Sequence, residues 1–123
     1  MVVLIADDSA LIRSRLSRLI RSRKLEVSIL ESAGVEDTIG AVERQQPDIL
    51  ILDLYMPGGS GFDVLSHIRK KGYATQVLVL TNYASEHNRR KSMELGSDCF
   101  FDKSSEFEMA LDYLESACLE QCR

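Results

Sequence analysis

Five side chains pose the chemical question in this sequence: Asp7, Asp8, Asp53, Thr81 and Lys103. Three carboxylates gathered at close range repel one another unless a cation sits among them. Their hard oxygens suit Mg2+ better than Zn2+, and Mg2+ is content with one or two carboxylates plus phosphate oxygens, which leaves room for a phosphate. A carboxylate can also attack as a nucleophile and become an acyl phosphate. The metal would then neutralise charge on the transferring group while an ammonium and a hydroxyl hold its remaining oxygens. In that scheme Asp53 is the nucleophile, because it closes the most apolar run of the chain, Ile49-Leu50-Ile51-Leu52. Asp7 and Asp8 fit the metal, Lys103 a phosphoryl or carboxylate oxygen, and Thr81 a phosphoryl oxygen. Each residue alone has a plainer reading. Asp8 or Ser9 would make a good helix N-cap. Asp53 could open the turn completed by Pro57 and the glycines, Thr81 could merely end a strand, and Lys103 could be solvated. Coincidence accounts for each of these singly but poorly for all five at one place.

The elements that must position them are legible as alternating patterns. Val2–Ala6 reads as a buried strand, and residues 9–23 as a helix with Leu11, Ile12, Leu16, Leu19 and Ile20 at three- and four-residue steps. Leu25–Leu30 is a second, weaker strand and Val35–Gln45 a second helix. Asp48–Asp53 reads as a strand covered on both faces. Met56-Pro57-Gly58-Gly59-Ser60-Gly61 is loop chemistry, followed by a helix over Phe62–Lys71. Val77–Thr81 is a fourth strand, about residues 84–95 a fourth helix, Cys99–Asp102 a fifth strand and Glu106–Gln121 a final helix. Five strands alternating with five helices predict right-handed crossovers and an α/β, doubly wound parallel sheet with helices on both faces. The carboxyl ends of parallel strands line one edge, where ligands bind. Asp7-Asp8, Asp53, Thr81 and Lys103 all fall at or just beyond strand ends, on that edge.

Composition narrows the class. A chain of 123 residues with 45% hydrophobic and 28% charged content suits one globular domain, residues 1–123. The net charge of −4 does not favour nucleic acid as a direct partner of this domain. No apolar run approaches the roughly 20 residues of a membrane span, and the start, Met1 into Val2–Ala6 and Asp7, has no basic region or cleavage site of a signal peptide. The expected location is the cytoplasm, with Cys99, Cys118 and Cys122 as reduced thiols rather than a zinc or disulfide set.

These motifs resemble the receiver domains of two-component response regulators, over essentially the whole chain. The likeness rests on Asp7-Asp8 after the first strand, the run from Asp53 through Tyr55, Met56 and Pro57 to Gly61 after the third, Thr81 after the fourth and Lys103 after the fifth. It implies a flavodoxin-like fold with strand order 2-1-3-4-5. It implies a sensor histidine kinase or a phosphotransfer protein as donor to Asp53, with Mg2+ as cofactor. The metal ligands would be Asp8, Asp53, the Tyr55 backbone carbonyl, and Asp7 through water. Thr81 would move toward the phosphoryl group, Phe100 would swing inward, and the face of the fourth helix, fifth strand and fifth helix would change its partners, a population shift between two packings. Such a domain is not an enzyme acting on other substrates, since it catalyses only its own phosphorylation and dephosphorylation.

Some positions depart from the family pattern. Ser104 follows Lys103 where a cis proline is usual, and a trans bond is expected instead. Asn82 stands where a small residue is common and would narrow access for phosphodonors. Tyr55 and Tyr83 flank the site at variable positions, and two tyrosines there would shield an acyl phosphate from water. Phe100 lacks a tyrosine hydroxyl. Other readings fare worse: a haloacid-dehalogenase-like phosphatase would want a second Asp where Tyr55 stands, a scaffold-only receiver has no need of all five site residues, and Asp-Asp-Ser-Ala is no phosphate-cradling loop for a flavin. The sequence holds no recognisable output segment, so a stand-alone receiver and a piece of a longer regulator both remain open.

Charge patterning adds weaker signals. The first helix carries Arg13, Arg15, Arg18, Arg21, Arg23 and Lys24, a solvated face or a docking surface. The fourth has few apolar anchors beyond Ala84, Met93 and Leu95, which suits a switch element. The fifth carries Glu106, Glu108, Asp112 and Glu115, and basic and acidic helices could pair in a phosphorylation-dependent homodimer or simply be two solvated faces.

Overall fold

The computed structural model describes residues 1–121 and shows the expected flavodoxin-like architecture. Strands β1 (Val2–Ala6), β2 (Ser28–Ser32), β3 (Ile49–Leu52), β4 (Gln76–Thr81) and β5 (Cys99–Asp102) alternate with helices α1 (Ala10–Ser22), α2 (Val35–Gln45), α3 (Gly61–Lys71), α4 (Glu86–Glu94) and α5 (Phe107–Gln121). The strands form one parallel sheet in the order β2-β1-β3-β4-β5.

The apolar strands are continuous because both faces of the sheet are covered, yet the period of two still sorts their side chains. Leu4, Leu50, Leu52, Val77 and Val79 enter one core with Val42 of α2 and Val64, Leu65 and Ile68 of α3. Val3, Ile5, Ile49, Ile51, Leu78 and Leu80 enter the other, with Leu16 and Ile20 of α1 and Ala110, Leu111 and Leu114 of α5. The sheet thus carries two cores, back to back.

Several boundaries differ from the sequence reading, each for a local reason. Pairing in β2 begins at Ser28 and runs to Ser32, not from Leu25 to Leu30. Lys24 turns through a positive φ of 57°, and the Val27 N–H folds back on the Leu25 carbonyl, so residues 24–27 form the return from α1. Leu25 and Val27 still pack against the second core, which explains why the run looked like a strand. At the start of α1, Ser9 rather than Asp8 is the N-cap, its hydroxyl accepting from the Ile12 N–H. Helix α4 is shorter than 84–95, because the Ser85 hydroxyl accepts the Asn88 N–H and fixes the first turn there. The segment after Asp53 is not plain loop: Tyr55–Met56 pairs antiparallel with Gly59–Ser60 around Pro57-Gly58. Gly58 has φ 91°, which a proline-glycine turn requires of its second residue. Gly61 then lets α3 start against the strand end, where an added Cβ would lie 2.5 Å from the Asp53 carbonyl oxygen.

Cys99 lies at the start of β5, and burial, aided by the charge of Asp98, pushes its thiol up to about 12. Cys118 is buried in α5, and Cys122 lies outside the described residues. No helix of the described chain is long and apolar enough to cross a membrane.

Candidate functional site

The sheet ladder continues past the strand ends and sets the site. The Asp7 N–H donates to the Ser32 carbonyl, the Asp53 N–H to the Ala6 carbonyl and the Lys103 N–H to the Thr81 carbonyl. With Ala6 opposite Leu52 in register, Asp7 and Asp53 leave neighbouring strands side by side. Asp7, Asp53 and Thr81 are buried, while Asp8 is exposed. All four, with Lys103, gather at one edge, so the five residues singled out from the sequence are brought together.

Asp7 and Asp53 are held alike. Each accepts one backbone N–H on Oδ1, Asp7 from Ser9 at 2.9 Å and Asp53 from Leu54 at 2.8 Å. Their Oδ2 atoms share the Lys103 ammonium, at 2.6 Å from Asp7 and 3.1 Å from Asp53. The Lys103 side chain is only 8% exposed. Burial pulls its pKa down, but the hydrogen bond to Asp7 and the charges of both carboxylates outweigh that and leave it above the ordinary value. Burial pushes the Asp53 carboxyl up, the Lys103 charge opposes this and the Asp7 charge adds to it, so Asp53 stands above the usual carboxylate range. The bond between Lys103 and Ser104 is trans, as expected without proline. Ser104 instead donates its N–H to Asp102 Oδ1 and its hydroxyl to Asn82 Oδ1, and Lys103 still reaches the two carboxylates.

Oxygens of Asp7, Asp8 and Asp53 lie within 4.8 Å of one another. A carboxylate has about four lone-pair sites, so those used for Lys103 and the backbone leave others open. The donor set is all hard oxygen, with no imidazole or thiolate among it, and it opens on a cleft of about 500 Å³ also lined by Tyr55, Asn82 and Tyr83. That chemistry fits a hard divalent cation such as Mg2+ and fits zinc poorly.

The Thr81 hydroxyl, fully buried, accepts the Tyr83 N–H and interacts with Asp53. Phe100 is itself buried in the first core rather than waiting outside it, with the Arg89 guanidinium 4.7 Å above its ring and a hydrogen bond from Arg89 to its carbonyl. Tyr55 and Tyr83 meet edge to face, ring centroids 4.3 Å apart, over the mouth of the cleft. Sequence reasoning missed Asn88, whose Nδ2 donates to the Tyr83 carbonyl at 2.9 Å and to the Tyr55 hydroxyl at 3.4 Å. Its only signal was a polar residue on the inward side of a helix poor in apolar ones.

Comparison with known proteins gives one answer. The family model described as the response regulator receiver domain matches residues 3–115. The transcriptional regulatory protein YdfI of Bacillus subtilis (strain 168) is 30% identical over 115 residues, 94% of this chain and 54% of that protein. The nitrate/nitrite response regulator protein NarL of Escherichia coli (strain K12) is 28% identical over 94% of this chain and 53% of its own length. The chain therefore spans about half the length of these curated relatives. Among solved structures, a LuxR-family DNA-binding response regulator from Staphylococcus aureus superposes with a TM-score of 0.86 at 25% identity, covering 94% of this chain and 97% of that one. The Francisella response regulator 1452 receiver domain gives 0.87 at 19% identity, covering 98% of each chain.

Proposed function

Because the chain belongs to the response regulator receiver-domain family, we propose that it is a phosphoacceptor whose Asp53 takes a phosphoryl group from a histidine. The observation that carries this reading is the buried pair Asp7 and Asp53 sharing one ammonium, with Asp8 exposed beside them at the mouth of the cleft. An Asp53 carboxylate oxygen attacks phosphorus of a donor phosphohistidine. The new P–O bond forms as the P–N bond breaks, and the electron pair returns to the imidazole nitrogen of the donor. Lys103, above its ordinary pKa, keeps its proton and meets charge on the transferring group. Thr81, whose oxygen accepts from Tyr83 while its hydroxyl engages Asp53, can turn its proton to a phosphoryl oxygen.

Asp8 and Asp53, the Tyr55 backbone carbonyl, and Asp7 through water are the groups we assign to Mg2+, which when bound neutralises phosphoryl charge. The donor is a sensor histidine kinase or a phosphotransfer protein. Competition between the phosphoryl group and the present contacts of Thr81 and Lys103 then biases α4, β5 and α5, where Arg89 and Phe100 lie, toward a second packing. In the same reading the exposed Tyr55 and Tyr83 rings shield the acyl phosphate from water.

The test is intact mass after incubation with acetyl phosphate, with and without Mg2+, on wild type and Asp53→Ala. We expect a Mg2+-dependent gain of one phosphoryl group in wild type alone. No gain from acetyl phosphate, nor from a histidine-phosphorylated phosphotransfer protein, overturns the reading.

A further inference from the structure

Helix α4 turns an unusual side to the molecule. Its buried residues are Asn88 and Ser92, both polar, while Met93 is exposed. Ser92 is fully buried, and its hydroxyl has no hydrogen-bond partner among the described residues. Asn88 is different, because its amide is used outside the helix. Both Nδ2 contacts go to acceptors, the Tyr83 carbonyl and the Tyr55 hydroxyl oxygen. The carbonyl can only accept, so the amide cannot be turned the other way round without setting oxygen against oxygen. One side chain of α4 thus grips both tyrosines at the mouth of the Asp53 cleft, one through its backbone and one through its ring.

We infer that Asn88 is a positioning residue for the phosphorylated site: it holds the Tyr55–Tyr83 pair closed over Asp53 and so slows hydrolysis of the acyl phosphate. This inference rests on the phosphoacceptor reading of Asp53. In the hydrolytic step a water oxygen bonds to phosphorus and the P–O bond to the Asp53 carboxyl breaks. The electron pair stays on the regenerated carboxylate, and the water proton is lost to solvent as inorganic phosphate leaves. The pair closes the approach from solvent only while the two rings stay together, and exposed rings free to rotate would not. Coupling through Asn88 also runs in reverse: whatever displaces the first turn of α4 opens the cleft, and whatever orders that turn keeps the phosphoryl group longer.

The experiment follows loss of the phosphoryl group by intact mass in wild type, Asn88→Ala, Asn88→Asp, Tyr83→Ala and the Asn88→Ala/Tyr83→Ala double variant. Each is loaded with the donor that phosphorylates wild type in the experiment above. Asn88→Asp keeps the side-chain shape and places an acidic residue in the first turn, which favours the helix, yet it removes both donated hydrogen bonds. Ser92→Ala, buried in the same helix but with no hydrogen bond from its hydroxyl to the tyrosines, is the control for a change in the buried side of α4 that leaves the Asn88 contacts in place. We expect Asn88→Ala and Asn88→Asp to lose phosphate about threefold to tenfold faster than wild type, the range set by the 2.9 Å hydrogen bond to the Tyr83 carbonyl, since the 3.4 Å contact to Tyr55 is weak. Tyr83→Ala should do the same, the double variant should be no faster than Tyr83→Ala, and Ser92→Ala should match wild type. Near-ultraviolet circular dichroism of the unphosphorylated proteins should show the tyrosine signal reduced in both Asn88 variants and retained in Ser92→Ala. A wild-type rate in both Asn88 variants, additive effects in the double variant, or equal acceleration in Ser92→Ala each overturns the inference alone. Failure of every donor to load wild type overturns the phosphoacceptor reading and this inference with it.

Discussion

Lys103 donates to Asp7 at 2.6 Å and to Asp53 at 3.1 Å, and that inequality leaves Asp53 the less compensated of two buried carboxylates. Its pKa is raised in the fold, so its contribution favours the folded state at low pH and is lost as pH rises through the folded value. At neutral pH, without metal, the ionised Asp53 is therefore a net cost. Asp53→Asn should melt at a higher temperature than wild type in chelator-containing buffer, and added Mg2+ should narrow the gap by stabilising wild type more. Lys103→Met should do the opposite. Removing one partner of a buried ion pair strands the other charge, and a loss of about 3 kcal/mol is expected by urea denaturation in chelator, partly restored by Mg2+. The identities of these residues could be read from the sequence, since carboxylates and a lysine at strand ends suggested their chemistry. The unequal sharing could not, because it depends on tenths of an ångström set by the ladder from Ala6 and Thr81.

Helices α2 and α3 are joined by a polar clamp: Glu43 accepts the Tyr73 hydroxyl at 2.5 Å and contacts His67 Nε2 at 2.6 Å. The Tyr73 hydrogen bond first, and His67 second, lower the Glu43 pKa. A lowered carboxylate pKa gives stability above the ordinary range that is lost as pH falls through the folded value. Wild type should therefore resist urea better than Glu43→Gln at pH 7, and the two midpoints should converge as pH falls below the ordinary carboxylate range. The effect should be modest, since the clamp is partly exposed and screened. In α4 the sign reverses. Ser92→Ala removes a buried hydroxyl with no partner among the described residues, and a gain of about 1 kcal/mol in urea is expected. The sequence identified α4 as poor in apolar anchors, which the polar burial of Asn88 and Ser92 bears out. It did not reveal the short hairpin at Tyr55–Met56, because Pro57, Gly58 and Gly59 signal a turn whether or not the flanking residues pair.

At the scale of the whole molecule, two cores meet back to back through one sheet, and α4 belongs fully to neither. Opening free energies should follow that arrangement. In native-state hydrogen exchange, amides of β1, β3 and β4 should exchange slowest, and those of α4 fastest among the helices; equal protection of α4 and α3 would contradict it. Charge is arranged over the same frame. Arg23 contacts Glu108 at 3.1 Å, Asp112 at 2.8 Å and Glu115 at 3.9 Å, so three acidic residues of α5 are engaged from within the chain. Arg89 lies 3.6 Å from Glu106. The sequence placed basic and acidic helices in one molecule but could not show which of them meet, since the reach of Arg23 to α5 joins positions far apart in the chain. Fold class was legible because hydrophobic periodicity and the alternation of elements follow from backbone geometry, whereas the strand order was implied only by the resemblance to receiver domains. The grip of Asn88 on two tyrosines was not legible, because it joins positions 33 residues apart through a loop whose path only the folded chain defines.

The sparse burial of α4 also bears on descent. A helix whose inward side is two polar residues places few demands on the cores, so its outward residues can be rewritten by mutation at little cost to folding. Over generations, duplicated copies of such a chain can acquire new partners at α4 while the ladder that sets Asp7, Asp53 and Lys103 is inherited unchanged. Lineages would then diverge in the outward residues of α4 and agree in the carboxylates and lysine at the strand ends.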